Sequence, residues 1–250
     1  MSVRHALTRI PVPAAKSARM GGLRVPASYG KAAGRVQTLP RAVVVALCLI
    51  TVMMAPMARA TAADAPVKIV AFGDSLTAGY GLPPPAAFPV RLEAALKAKG
   101  YAVEIANAGV SGDTASGGLA RLDWSVPDGT DAVILELGAN DALRGSKPEL
   151  TRAALDQILR RLKERGITVL LAGMRAPPNL GAEYGKAFDA IYRDLAASYD
   201  AILYPFFLDG VAADRALNQP DGLHPTAEGV EKVVRGILPK AEVLVARVTS

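Results

Sequence analysis

The 250-residue sequence predicts a single three-layer α/β/α domain built on a five-stranded parallel sheet. Two features carry that expectation. Short β-rich runs alternate with longer helix-like segments after residue 60, and several of the short runs are apolar throughout, as strands covered on both faces should be. Strict alternation also implies parallel pairing, because a parallel neighbour is reached only through a crossover.

The elements can be justified in order. Strands are expected at 67–73, 102–108, 131–137, 168–174 and 201–204. A first helix is expected at 89–99, with Pro89 in its first turn and Gly100 at its end, and a second at 148–165, which follows Ser146 and stops at Gly166. In the second, Leu155, Ile158, Leu159 and Leu162 mark one apolar face. A third helix should run over about 183–199 through Phe188, Ile191, Tyr192 and Leu195, and a last one from about Thr226 through Val230, Val233, Val234 and Ile237. No internal repeat or low-complexity stretch interrupts the pattern. In such sheets ligands bind beyond the carboxyl ends of the strands, so chemistry is to be sought in the segments that follow each strand.

Charge divides the chain near residue 60. All 23 acidic residues lie from Asp64 onward, whereas nine of the 29 Lys and Arg lie before residue 60, so the formal +6 is made of +9 from the leader and −3 from the remaining 190 residues. That balance gives no electrostatic reason to expect nucleic-acid or anionic-membrane binding. Residues 42–55 form an uncharged apolar run after Arg41 and a basic, acid-free segment, and Ala58-Arg59-Ala60 follows. This order reads as an export signal, residues 1–60, cleaved after Ala60 to leave a periplasmic or secreted domain at 61–250. Its fourteen residues are short of the roughly 20 that span a bilayer, so no stable membrane span is expected in the mature chain.

The lone Cys48 lies in the leader, so the domain can form neither a disulfide nor a thiolate metal site. Of the two histidines, His5 and His224, only His224 belongs to the domain, so a multi-His metal centre cannot be built there. We expect no metal and no cofactor, and a monomer acting on a small molecule.

Four polar, glycine-containing loops sit where the chemistry should be. They are Gly73-Asp74-Ser75-Leu76-Thr77-Ala78-Gly79, Ala108-Gly109-Val110-Ser111-Gly112-Asp113-Thr114, Gly138-Ala139-Asn140-Asp141 and Asp221-Gly222-Leu223-His224-Pro225. Each has a bland reading as a turn or helix cap. Together and in this order, the blocks resemble the SGNH (GDSL-type) hydrolases over residues 66–240, most of all the bacterial periplasmic thioesterase, lysophospholipase and arylesterase group. The resemblance implies a flavodoxin-like fold, Ser75 as nucleophile, Asp221 and His224 as its triad partners, and an oxyanion hole formed by Ser75, Gly112 and Asn140.

Physical reasoning supports each assignment separately. Ser75 should open a helix, where backbone N–H groups lack partners. Gly112 can present its N–H without a side chain in the way, and Asn140 adds an amide. Gly222 permits a tight turn between Asp221 and His224, so one carboxylate can hold Nδ1 while Nε2 faces Ser75. No Gly-x-Ser-x-Gly elbow, P-loop, dinucleotide fingerprint or His-Glu-x-x-His occurs, which leaves α/β-hydrolase-proper, nucleotide and zinc-protease readings without support.

Apolar residues beside the loops supply candidate substrate walls: Leu76, Tyr80, Met174 and Pro177. With aromatics at 5%, acyl or aryl esters and thioesters are favoured over polysaccharide esters. A carbohydrate O-acetylesterase on the same triad, and a non-catalytic ligand binder of the exported compartment, stay open at this point.

Overall fold

The computed structural model describes residues 65–250; the expected signal at 1–60 and its cleavage site lie outside the described residues. Five parallel strands, β1 (Val67–Gly73), β2 (Val103–Gly109), β3 (Ala132–Glu136), β4 (Thr168–Ala172) and β5 (Ile202–Tyr204), pair in the order β2-β1-β3-β4-β5. The central strands β1 and β3 are buried almost throughout, while β2, at an edge, alternates buried and exposed before opening toward solvent. Every expected strand is present within one or two residues of its expected ends.

Seven α-helices accompany the strands among the described residues: α1 (Ser75–Ala78), α2 (Phe88–Ala98), α3 (Ala115–Ser125), α4 (Ala139–Leu143), α5 (Pro148–Glu164), α6 (Ala182–Tyr199) and α7 (Ala227–Thr249). Helices α2 and α7 pack on each other over one sheet face, and α3, α5 and α6 form the layer on the other. The last helix runs on past Ile237 and through Pro239 to Thr249, burying Ala241, Leu244 and Val245. Among the described residues no helix is long and apolar enough to cross a membrane.

Helix α3, the crossover from β2 to β3, has no counterpart in the expected elements. Its sequence, ASGGLARLDWS, contains two adjacent glycines, each unfavourable in a helix by about 1 kcal/mol relative to Ala. Tertiary packing overrides that penalty. Thr114 caps the first turn by accepting from the Gly117 N–H, Ala115 and Leu122 are buried, and Gly118 sits so close to Leu137 that an added Cβ would lie 2.3 Å from its Cδ1.

From β1 the chain moves outward to β2 and then returns past β1 to β3, which makes the carboxyl edge of β1 the topological switch point of the sheet. At that edge Gly73 lies abreast of Gly109 on one side and Glu136 on the other. Close approach explains Gly109, because a Cβ there would stand 2.2 Å from the backbone nitrogen of Ala78 in α1. The switch point thus presents α1, the loop after β2, and α4 side by side.

Candidate active site

The first loop is short and tightly held. Asp74 caps α1 by accepting from the Leu76 N–H at 3.0 Å, and Gly79, at φ +82°, closes the single turn with its N–H on the Ser75 carbonyl. Ser75 is therefore the first residue of a helix, with an N–H that has no intrahelical partner, and the residue as a whole is almost buried.

The last loop faces it. Gly222, at φ +72°, turns the chain so that Asp221 Oδ1 accepts from the N–H groups of Leu223 (2.9 Å) and His224 (3.0 Å), while Oδ2 lies 2.7 Å from His224 Nδ1. The other imidazole nitrogen, Nε2, is 2.9 Å from Ser75 Oγ. Those N–H donors and the imidazole hold the Asp221 carboxyl down to about 2, so it is ionised at any pH near neutrality. Gln219 ties the two loops together, its amide nitrogen donating to the Tyr80 carbonyl at 2.7 Å and to the Pro225 carbonyl at 2.9 Å, and the Tyr80 ring lies 4.5 Å from the imidazole.

Gly112 and Asn140 complete the rim. Gly112 has φ +85°, and its carbonyl accepts from Arg144 at 2.8 Å, which fixes the orientation of that peptide. Little crowds its Cα, so the positive φ, not lack of space, calls for glycine. Asn140 Nδ2 donates to the Asp113 carbonyl (2.9 Å) and to Asp74 Oδ2 (3.2 Å), so both amide hydrogens already have acceptors. Asp141 points away into the core, accepting from the Ala115 N–H at 2.8 Å and the Thr151 hydroxyl at 3.0 Å.

Ser75, Gly112, Asn140 and His224 line one cavity of about 430 Å³, and so do all four expected wall residues, Leu76, Tyr80, Met174 and Pro177. The lining is mostly apolar. Sequence reasoning missed Phe206 and Leu208, which follow β5, and Ala142 and Leu143 of α4, which also line it. Their position after strand ends was the available signal. It missed as well two groups behind the rim. Glu136, an acid in the apolar strand β3, accepts from Thr77 Oγ1 at 2.7 Å and from the Asp74 N–H at 3.3 Å. Arg121 on α3 is ion-paired with Asp113 and donates to the carbonyls of Gly73 (2.8 Å) and Ala108 (2.9 Å), bracing the ends of β1 and β2.

The arrangement has the parts needed for acyl transfer: a hydroxyl against an imidazole, a carboxylate orienting that imidazole, and amide donors beside an apolar cavity. Residues 71–232 match the model of a family described as GDSL-like lipase/acylhydrolase. Esterase TesA of Pseudomonas aeruginosa is 34% identical over 200 residues, covering 80% of this chain and 96% of that protein. Thioesterase 1/protease 1/lysophospholipase L1 of Escherichia coli (strain K12) is 40% identical over 171 residues, or 68% of this chain and 79% of that one. The crystal structure of AlinE4, an SGNH-hydrolase family esterase, shares 49% identity and superposes with a TM-score of 0.61, covering 71% of this chain and 96% of that chain.

Proposed function

Because the chain belongs to the GDSL-like lipase/acylhydrolase family and is an SGNH-type carboxylic ester hydrolase, we propose that it cleaves acyl or aryl esters and thioesters through a Ser75 acyl-enzyme. The observation that carries this reading is the continuous line from Asp221 through His224 to Ser75, with contacts of 2.7 and 2.9 Å.

In the first half-reaction His224 Nε2 takes the proton of Ser75 Oγ as that oxygen attacks the substrate carbonyl. The resulting oxyanion accepts from the Ser75 and Gly112 N–H groups and from the Asn140 amide, which gives up part of an existing bond to Asp113 or Asp74 to do so. The tetrahedral adduct collapses, the ester or thioester bond breaks, and the imidazolium returns its proton to the departing alcohol or thiol. In the second half-reaction His224 deprotonates a water that attacks the acyl-enzyme, and Ser75 recovers its proton as the acid leaves. Asp221 remains ionised throughout and stabilises the imidazolium. The apolar cavity supports an acyl or aryl group as the part recognised, each methylene buried contributing about 0.8 kcal/mol.

Purified Ser75→Ala and His224→Ala variants should each lose hydrolysis of a short-chain aryl ester while keeping the parental circular dichroism. Near-parental turnover in His224→Ala would overturn the mechanism.

A further inference from the structure

Behind the nucleophile turn lie two carboxyl groups that the proposed mechanism does not use. Asp74 and Glu136 are both fully buried, 0% exposed, and the two residues are joined by the Asp74 N–H, which donates to Glu136 Oε2 at 3.3 Å. Asp74 spends its two oxygens on the machinery of the site: Oδ1 on the Leu76 N–H that starts α1, and Oδ2 on the Asn140 amide. Glu136 directs Oε2 at the Thr77 hydroxyl and the Asp74 N–H, whereas its Oε1 is buried without a hydrogen-bond partner. A buried carboxyl oxygen without a partner is satisfied when it carries a proton and donates it to an acceptor nearby.

We propose that Glu136 is kept neutral, with its proton on Oε1 donated to the Asp74 carboxylate, and that this shared proton is a positioning device holding Asp74 against Leu76 and Asn140. Neither residue touches substrate in this account; both act through the Ser75 turn and the Asn140 donor, so the inference rests on the Ser75 reading above.

The surroundings favour one charge on the pair, not two. Of the charged and titratable groups that face it, Arg121 is already ion-paired with Asp113, and Asp141 is a further buried carboxyl in α4 engaged with Ala115 and Thr151. The Tyr192 hydroxyl of α6 donates to the Leu137 carbonyl, and burial keeps it protonated. Burial raises the Asp74 carboxyl to about 6, against which the Leu76 N–H, the Asn140 amide and, least of all, His224 on the Ser75 side favour its ionised form. Asp74, with its two N–H donors, is the better-solvated anion, and burial together with the Asp74 charge pushes the Glu136 carboxyl well above its ordinary value of 4.5. Loss of the shared proton would set two anions against each other beneath the nucleophile and loosen the Asn140 donor.

Glu136→Gln tests the idea, since an amide nitrogen in place of Oε1 donates to Asp74 while its oxygen still accepts from Thr77 and the Asp74 N–H. Its sign in stability is definite. A carboxyl whose folded pKa is raised contributes stability that is complete below its unfolded value and is lost as pH rises through the folded value. The non-titrating Gln lacks that loss, so the Tm of Glu136→Gln relative to the parent should climb between pH 4.5 and 8. Turnover of the aryl ester should be retained within about twofold in Glu136→Gln, while Glu136→Ala, which leaves Asp74 unheld, should drop in kcat by about 10²-fold, with KM little changed. A relative Tm that falls with pH, a Gln variant as impaired as the Ala variant, or a Gln variant that does not fold would each overturn the proposal. Absence of aryl-ester turnover in the parent would instead sink the Ser75 reading and leave the Tm comparison standing.

Discussion

Asp221 shows how much of the site is fixed within four residues. Its carboxylate accepts two local N–H groups and the imidazole, and these donors hold it down to about 2. A carboxyl lowered in this way contributes stability that is present above its unfolded value of 3.8 and is lost as pH falls through about 2. An acid limb of activity near pH 5 or 6 therefore cannot come from Asp221. In Asp221→Asn the amide would turn His224 toward the wrong tautomer, and kcat measured at neutral pH should fall by about 10³–10⁴-fold; a fall under tenfold would mean that the imidazole is held by something else. The residues of this loop were legible in the sequence because the domain contains one histidine and a carboxyl three positions before it. The engagement of Asn140 with Asp74 and Asp113 was not legible, nor was the burial of Glu136, because each depends on loops separated by tens of residues meeting at one edge.

Helices and strands were readable where periodicity was strong. The 148–165 expectation differs from α5 (Pro148–Glu164) by one residue, since its apolar face and flanking Pro and Gly are strong local signals. Helix α3 was missed because its two glycines are there for packing on Leu137 and beside Asp113, which local propensity cannot reveal. Similar close packing governs the join between β2 and α1. A Cβ at Gly109 would meet the Ala78 backbone at 2.2 Å and the Asp74 carbonyl at 2.8 Å, atoms that cannot move without moving the Ser75 turn. Gly109→Ala should therefore lose about 1–3 kcal/mol or more of stability in urea unfolding and lose activity beyond that. A variant with parental stability and turnover would show that the turn is less tightly held than described.

Across the whole molecule, alternation of strand and helix implied a parallel sheet, but the order β2-β1-β3-β4-β5 could not be read from the sequence, because alternation says which neighbours need crossovers and not on which side each strand is added. That order sets β1 between β2 and β3, and so brings Ser75, Gly112 and Asn140 to one place while the loop before α7 delivers Asp221 and His224. The same edge opens into an apolar cavity of about 430 Å³ whose far wall comes from the segments after β4 and β5. Fold, cavity and charge line thus converge on a single hydroxyl. The most direct measurement is mass-spectrometric mapping of a serine-directed phosphonate on parental and His224→Ala protein. Stoichiometric modification of the Ser75 peptide in the parent, and its loss without the imidazole, is the predicted result; labelling at another serine, or equal labelling of both proteins, would contradict it.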